Sequence, residues 1–209
     1  MTAAGVGGAE AVVERLAAAL ARRPGAVVTL TPDEPVPRRA AVAAVLHGPP
    51  GARDASLLFV KRAEYPGDPW SGHVALPGGR AEPEDATPWD TAARETWEET
   101  GLDLRRNAHL LGTLDELHPR TPTLPPIVVR PHVVAVDAPG PLTLSPELAA
   151  AFWVPLGALR DPAVDRESTV AVRGGRTLVV PSFVYAGHTI WGMTERILRQ
   201  LLQLADGAG

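Results

Sequence analysis

One short segment constrains this chain more than any other: Arg94-Glu95-Thr96-Trp97-Glu98-Glu99-Thr100-Gly101-Leu102. The spacing predicts a helix over residues 88–100, ended at Gly101 where a C-terminal cap belongs. On that helix Glu95 stands three residues before Glu98 and four before Glu99, so the three carboxylates share one face. Like charges at such spacing cost a helix about 0.2–0.5 kcal/mol per pair. A run of this kind has a plain reading as a solvated helix face. It has a second reading as a seat for a hard cation, since oxygen-rich clusters suit Mg²⁺ or Mn²⁺. Arg94 adjoins the cluster and can hold a carboxylate by a bidentate pair. The upstream run Leu76-Pro77-Gly78-Gly79-Arg80 favours the cation. Paired glycines let backbone approach a ligand closely, and their carbonyls are hard donors for the same ion.

Around this segment the hydrophobic pattern predicts an α/β fold, a mixed sheet flanked by helices. Val12, Val13, Leu16, Ala19 and Leu20 fall on one side of a helix over 9–22, stopped by Pro24-Gly25. Residues 31–38 carry three prolines and are expected to connect. Strands are expected at 39–47, 56–62, 108–116, 127–137, 151–154, 168–173 and 176–181, the second buried on both faces. Residues 63–80 are Gly- and Pro-rich and are expected to form one long functional loop. A last amphipathic helix is expected over 194–204, with Ile197, Leu198, Leu201 and Leu204 on its apolar side. The organisation expected is an N-terminal helix and connector, 1–37, followed by the main domain, 38–209.

Composition removes several alternatives. The 209 residues contain no cysteine, which excludes disulfides, thiolate zinc sites and a cysteine nucleophile. The net charge of −4 and the absence of a basic run argue against nucleic-acid binding. The N-terminus has no basic region, and Glu10, Glu14 and Arg15 break its apolar run, so no secretion signal is expected. No uncharged apolar stretch is long enough to span a bilayer. A cytoplasmic protein with no membrane partner is the expectation. A homodimer is compatible with the sequence, which does not fix the oligomeric state.

The segment that starts at Gly79 resembles the Nudix box. Its pattern is Gly, five residues, Glu, seven residues, Arg-Glu, an apolar residue, any residue, Glu-Glu, any residue, Gly, apolar. Gly79 opens it, and Arg94-Glu95, Glu98-Glu99, Gly101 and Leu102 close it. Asp85 stands in place of the first Glu, one extra residue separates it from Arg94, and Thr96 replaces the apolar residue. The first two departures look like the coenzyme A diphosphatase branch of the family. The resemblance implies an α/β/α sandwich with a loop–helix–loop metal site and hydrolysis of a nucleoside diphosphate linked to another group. Carried over by position, Glu95, Glu98, Glu99 and the Gly79 carbonyl would bind Mg²⁺ or Mn²⁺, with Glu98, Glu95 and Arg94 as the catalytic set. Arg94 would orient the carboxylates and Asp85 would support the loop.

A second motif of that branch keeps its spacing from Leu58-Phe59-Val60 through Ala63 and Gly72 to Pro77-Gly78-Gly79. Glu64, Asp68 and Leu76 depart from it, and Asp68 replaces an Arg. Phe183-Val184-Tyr185 and Ile190-Trp191-Gly192-Met193-Thr194 resemble the branch's ending. The implied substrate is coenzyme A or an acyl derivative, cleaved to 3′,5′-ADP and 4′-phosphopantetheine. The alternatives are another nucleotide, such as ADP-ribose, NADH or a nucleoside triphosphate, or a nucleotide-sensing domain without turnover. Arg62 and Arg80 flank the box and are candidate phosphate contacts. His73 has two readings, a donor to a phosphate oxygen or a turn cap. Trp70 has two, a base-stacking ring or a loop anchor. Trp191 packs in the core or stacks on a base. Glu147 after Ser145-Pro146 suggests a helix start, or else a second carboxylate reaching the metal from a distal loop.

Overall fold

Two strands run side by side through the middle of the sheet because both are apolar on both faces. These are β1 (Arg38–His47) and β6 (Ile127–Val136), paired in parallel over their full length from Arg38↔Ile127 to His47↔Val136. The computed structural model describes residues 8–48, 52–65, 71–120, 125–172 and 176–207. Within them the remaining elements are α1 (Ala9–Arg22), β2 (Ser56–Arg62), β3 (Val74–Ala75), β4 (Gly78–Arg80), α2 (Pro88–Thr100), α3 (Leu104–Asn107) and β5 (Ala108–Thr113). After β6 come β7 (Leu148–Pro155), α4 (Leu156–Leu159), β8 (Asp165–Val172), β9 (Arg176–Tyr185), β10 (His188–Trp191) and α5 (Gly192–Ala205).

A seven-stranded mixed sheet runs β3-β2-β1-β6-β5, with β4 also on β1 and β7 also on β2. Only the β1–β6 pairing is parallel among those described. A separate three-stranded antiparallel sheet runs β10-β9-β8. Two hydrophobic clusters cover the two faces of the large sheet. Leu57 and Phe59 of β2 point into one with Leu16 and Leu20 of α1 and Ile197, Leu198 and Leu201 of α5. Leu58 points into the other with Ala41, Ala43 and Val45 of β1 and Ala92 and Ala93 of α2. The alternation along β2 is the period of two that places successive side chains on opposite faces. Helices thus lie on both sides of the sheet, an α/β sandwich as expected.

Several expectations shift. The stretch 63–80 is not one structureless loop: β3 and β4 lie inside it, short strands that borrow their order from β2 and β1. The strand expected at 108–116 ends at Thr113, beyond a register shift between Leu110 and Gly112. The strand expected at 151–154 lies inside β7, that at 168–173 takes in the end of β8, with residue 173 outside the described residues, and that at 176–181 is the first part of β9.

The segment after α1 is stitched to the sheet by acids. Glu116, whose side chain is 4 % exposed, accepts from Arg130 through Nε and Nη2, from Arg39, and from the Val28 N–H. Two residues along β6, His132 is buried against Trp89 of α2, with ring centroids 5.6 Å apart. Among the described residues neither of its ring nitrogens has a hydrogen-bond partner. Burial, helped by the charge of Arg130, pulls its pKa down to about 4, so it sits there as neutral imidazole. Among the described residues no helix is long and apolar enough to cross a membrane.

Candidate functional site

The carboxylate helix is locked in register at both ends. At its start the Thr87 hydroxyl accepts from the Asp90 N–H at 3.2 Å, and Asp90 accepts from the Thr87 N–H at 3.0 Å, a reciprocal capping box with Pro88 in the first turn. At its end Gly101, at φ 72°, occupies the left-handed region and donates its N–H to the Trp97 carbonyl at 2.8 Å. Inside, Thr96 and Thr100 donate their hydroxyls to the carbonyls four residues back. That explains how Thr96 replaces an apolar residue: its hydroxyl is satisfied within the helix and its methyl is left for the core.

This register turns Glu95 and Glu99 toward β4. Glu99 is 7 % exposed and accepts from the Gly78 N–H at 3.0 Å. Burial pushes its carboxyl up to about 7; the Gly78 N–H and the charge of Arg62 work the other way, while Glu95 and Glu147 add to the rise. Burial also raises Glu95. Gly79 is what admits Glu95 there, since a Cβ on Gly79 would stand 2.4 Å from its carboxyl carbon. Glu98, with 53 % of its side chain exposed, lies outermost.

Arg94 collects the acids. Its Nε and Nη2 bond the two oxygens of Asp85 at 3.1 and 2.9 Å, a bidentate fork. Nη2 also donates to the Arg80 carbonyl at 2.9 Å, while Nη1 lies 3.1 Å from Glu98 and 3.3 Å from Glu95. Asp85 accepts further from the Glu82 N–H and the Thr91 hydroxyl, each at 2.9 Å. The guanidinium, above all, holds the Asp85 carboxyl well below the usual carboxylate range.

The donor set suits a divalent cation on chemical grounds. A buried and a half-buried carboxylate with raised proton affinity, beside a main-chain turn without side chains, are groups that a hard cation would stabilise in their ionised form. Among the described residues no three acidic or histidine side chains form a ready-made cage, because Glu98 is turned onto Arg94.

Of the other predicted contacts, Arg62 ends β2, and its charge reaches Glu99. Arg80 is exposed on β4. The His73 ring meets Trp191 edge-on at 4.7 Å, and its carbonyl accepts from the Arg62 N–H. Trp191 is half-buried at the start of α5. Trp70 and Asp68 lie outside the described residues. Glu147 does not begin a helix: it immediately precedes β7, and its carbonyl accepts from the Ala63 N–H at 2.8 Å. Ser-Pro ahead of an acid signals a helix start only where helical periodicity follows, and here the pairing of β7 with β2 takes over. Sequence reasoning missed Tyr65, whose hydroxyl donates to the Pro146 carbonyl at 3.1 Å and whose N–H donates to Ser71. It ties the two loops beside Glu99 together, and no periodicity or spacing marks it.

A family model described as NUDIX domain matches residues 37–172. The human mitochondrial coenzyme A diphosphatase NUDT8 is 32 % identical over 151 residues, 71 % of this chain and 62 % of its own length. The Nudix hydrolase NudL of Yersinia enterocolitica, itself uncharacterized, is 33 % identical over 153 residues, 71 % of this chain and 73 % of its own. The chain spans less than two thirds of the human relative, and 18 % of a Schizosaccharomyces pombe protein that it matches over 61 residues. A solved NUDIX hydrolase from Alicyclobacillus acidocaldarius shares the fold at a TM-score of 0.52 and 21 % identity, over 80 % of this chain and 91 % of that one.

Proposed function

The chain belongs to the Nudix family, and from that premise we propose that it hydrolyses the diphosphate linkage of a nucleoside diphosphate derivative with a divalent cation at α2. The observation that carries this is a buried Glu99 and a half-buried Glu95 against the Gly78-Gly79 turn, where ionised carboxylates are costly without a cation. Glu95, Glu98 and Glu99, with the main chain at Gly79, would hold Mg²⁺ or Mn²⁺. Such an ion supplies charge neutralisation for the non-bridging phosphate oxygens and polarises water. The chain's own groups do the rest. Arg94 fixes the carboxylates through the Asp85 fork. Arg62, next to Glu99, offers a fixed positive charge to a phosphate oxygen, and Arg80 offers an exposed one. Glu147, whose charge reaches Glu99 from just ahead of β7, would be a second carboxylate for the ion.

Coenzyme A or an acyl derivative is the proposed substrate. Two supports are the spacing from Leu58 to Gly79 and the similarity to a protein named as a coenzyme A diphosphatase. The acids at Glu64 and Asp68, where the branch has a Ser or Lys and an Arg, favour a second reading, a nucleotide without coenzyme A's 3′-phosphate. Specificity constants for coenzyme A, its dephospho form, ADP-ribose, NADH and nucleoside triphosphates, measured with Mg²⁺ and again with chelator, separate the two. Coenzyme A ahead by tenfold, about 1.4 kcal/mol of transition-state discrimination, is the expected result. A nucleotide without pantetheine ahead by the same margin overturns the substrate, and turnover in chelator overturns the metal. Glu98→Gln is expected to lose most turnover while melting as wild type.

A further inference from the structure

Three threonines on α2 are fully buried: Thr91, Thr96 and Thr100. Two of them use their hydroxyls as threonines inside helices usually do, on the carbonyl four residues back, at 2.7 and 2.6 Å. Thr91 does not. Its hydroxyl leaves the helix and donates to Asp85 Oδ2 at 2.9 Å, six residues upstream in the loop. That oxygen also takes the Glu82 N–H and Arg94 Nη2, each at 2.9 Å, while Oδ1 takes Arg94 Nε. A bidentate fork needs the guanidinium and carboxylate coplanar. The Glu82 N–H and the Thr91 hydroxyl hold the same oxygen from loop and helix, and so fix the plane of the Asp85 carboxylate about its last torsion. Arg94 follows that plane, and its Nη1 lies between Glu95 at 3.3 Å and Glu98 at 3.1 Å.

We infer that the Thr91 hydroxyl is a positioning group for the metal-binding carboxylates, acting through Asp85 and Arg94. The inference rests on the metal reading given above and names a residue that no part of the box pattern specifies. Outer partners of metal ligands change metal affinity or activity by about 10–100-fold when removed. A relay of two side chains places Thr91 at the lower end of that range.

The test uses Thr91→Val, which keeps the shape and removes the donor, and Thr91→Ser, which keeps the donor. Mn²⁺ alone is titrated calorimetrically into each full-length protein, and kcat and KM for the nucleotide substrate are measured separately. Thr91→Val is expected to lose about tenfold in Mn²⁺ affinity and in kcat, with KM for the nucleotide unchanged, and Thr91→Ser to return both close to wild type. Should the Val variant melt too low to assay, Thr91→Ala is read in the same way. Equal losses in Val and Ser overturn the inference, because the methyl group and not the hydroxyl would then matter. Glu99→Gln separates the two levels. If it binds Mn²⁺ as tightly as wild type, the metal reading fails and takes the inference with it. If it loses the ion while Thr91→Val keeps it, the inference alone has failed.

Discussion

Alanine placed at Gly78 and, separately, at Gly79 should damage the protein in two different ways. Gly78 lies at φ 143°, in a region closed to side chains, and a Cβ there would stand 2.4 Å from the Ala41 carbonyl oxygen and 2.5 Å from Val42 Cα. Both atoms are backbone of the central strand β1, which cannot step aside. The dihedral costs about 1–3 kcal/mol and the overpacking about as much again, so roughly 2–6 kcal/mol in sum. For a chain of this size each kcal/mol moves Tm by about 2–4 °C, and the expected fall is about 4–24 °C. At Gly79 the new methyl meets instead the carboxyl end of Glu95, 2.4–2.5 Å away. A side-chain end can rotate off at about 0.5–1.5 kcal/mol, so Tm should fall by only about 1–6 °C. The rotation takes a proposed ligand away from the cation. Thermal melts in chelator and Mn²⁺ calorimetry on both variants decide it. Gly79→Ala should keep most of its stability and lose Mn²⁺ affinity by tenfold or more. A Gly79→Ala protein that binds Mn²⁺ as wild type, or one that melts as low as Gly78→Ala, refutes the placement of Glu95 against the turn.

Three further outcomes are expected. His132 has its pKa pulled from 6.5 down to about 4. Stability tied to its neutral form is therefore complete above pH 6.5 and lost as pH falls through 4, a span of ~3 kcal/mol. His132→Leu should show a stability gain over wild type that grows from pH 7 to pH 4 in urea melts, and a pH-independent difference would show that burial does not suppress its protonation. Mg²⁺ should raise the Tm of wild type but not of a Glu95/Glu98/Glu99→Gln triple variant, and an equal shift in both would put the ion elsewhere. Leu16→Ala in α1, at a site with no exposure, should cost about 2–5 kcal/mol in denaturant melts, and a cost below 1 kcal/mol would mean that α1 is loosely held.

The helix that carries the carboxylates was readable because its limits are written in local chemistry. Thr87-Pro88 opens it, Gly101 closes it, and three- and four-residue spacing aligns Glu95, Glu98 and Glu99. Strand β2 was readable to the residue, since an unbroken apolar run fills both faces. What escaped has its cause in distant partners. β3 and β4 are two and three residues long and exist only because β2 and β1 offer them a ladder. In the small sheet the pattern shows the end of β8 and the start of β9 and gives no sign of β10. Of the two readings of Glu147, the helix start gives way to a loop position just ahead of β7. His132 lies within an expected strand and gave no sign that its imidazole would be buried without a partner. The site follows the same division: residues of one helix could be grouped from spacing, whereas the Tyr65 clasp spans 81 residues of sequence.

The segment that matches the family model runs from 37 to 172, and it does not cover both faces of its sheet by itself. Leu16 and Leu20 come from before it, and Phe183, Ile190, Leu198 and Leu201 from after it, yet these side chains build one wall of the sheet. The other wall, where Ala92, Ala93 and Leu102 meet Ala41, Ala43, Val45 and Leu58, lies wholly within the shared stretch and carries α2. The limits of the family model and the limits of the core thus differ along the chain. An excised 37–172 fragment would keep its acidic helix and lose its backing, presenting Leu57 and Phe59 to water. Exchanging α2 alone between relatives would touch one wall only, since Ala92 and Ala93 pack in that cluster.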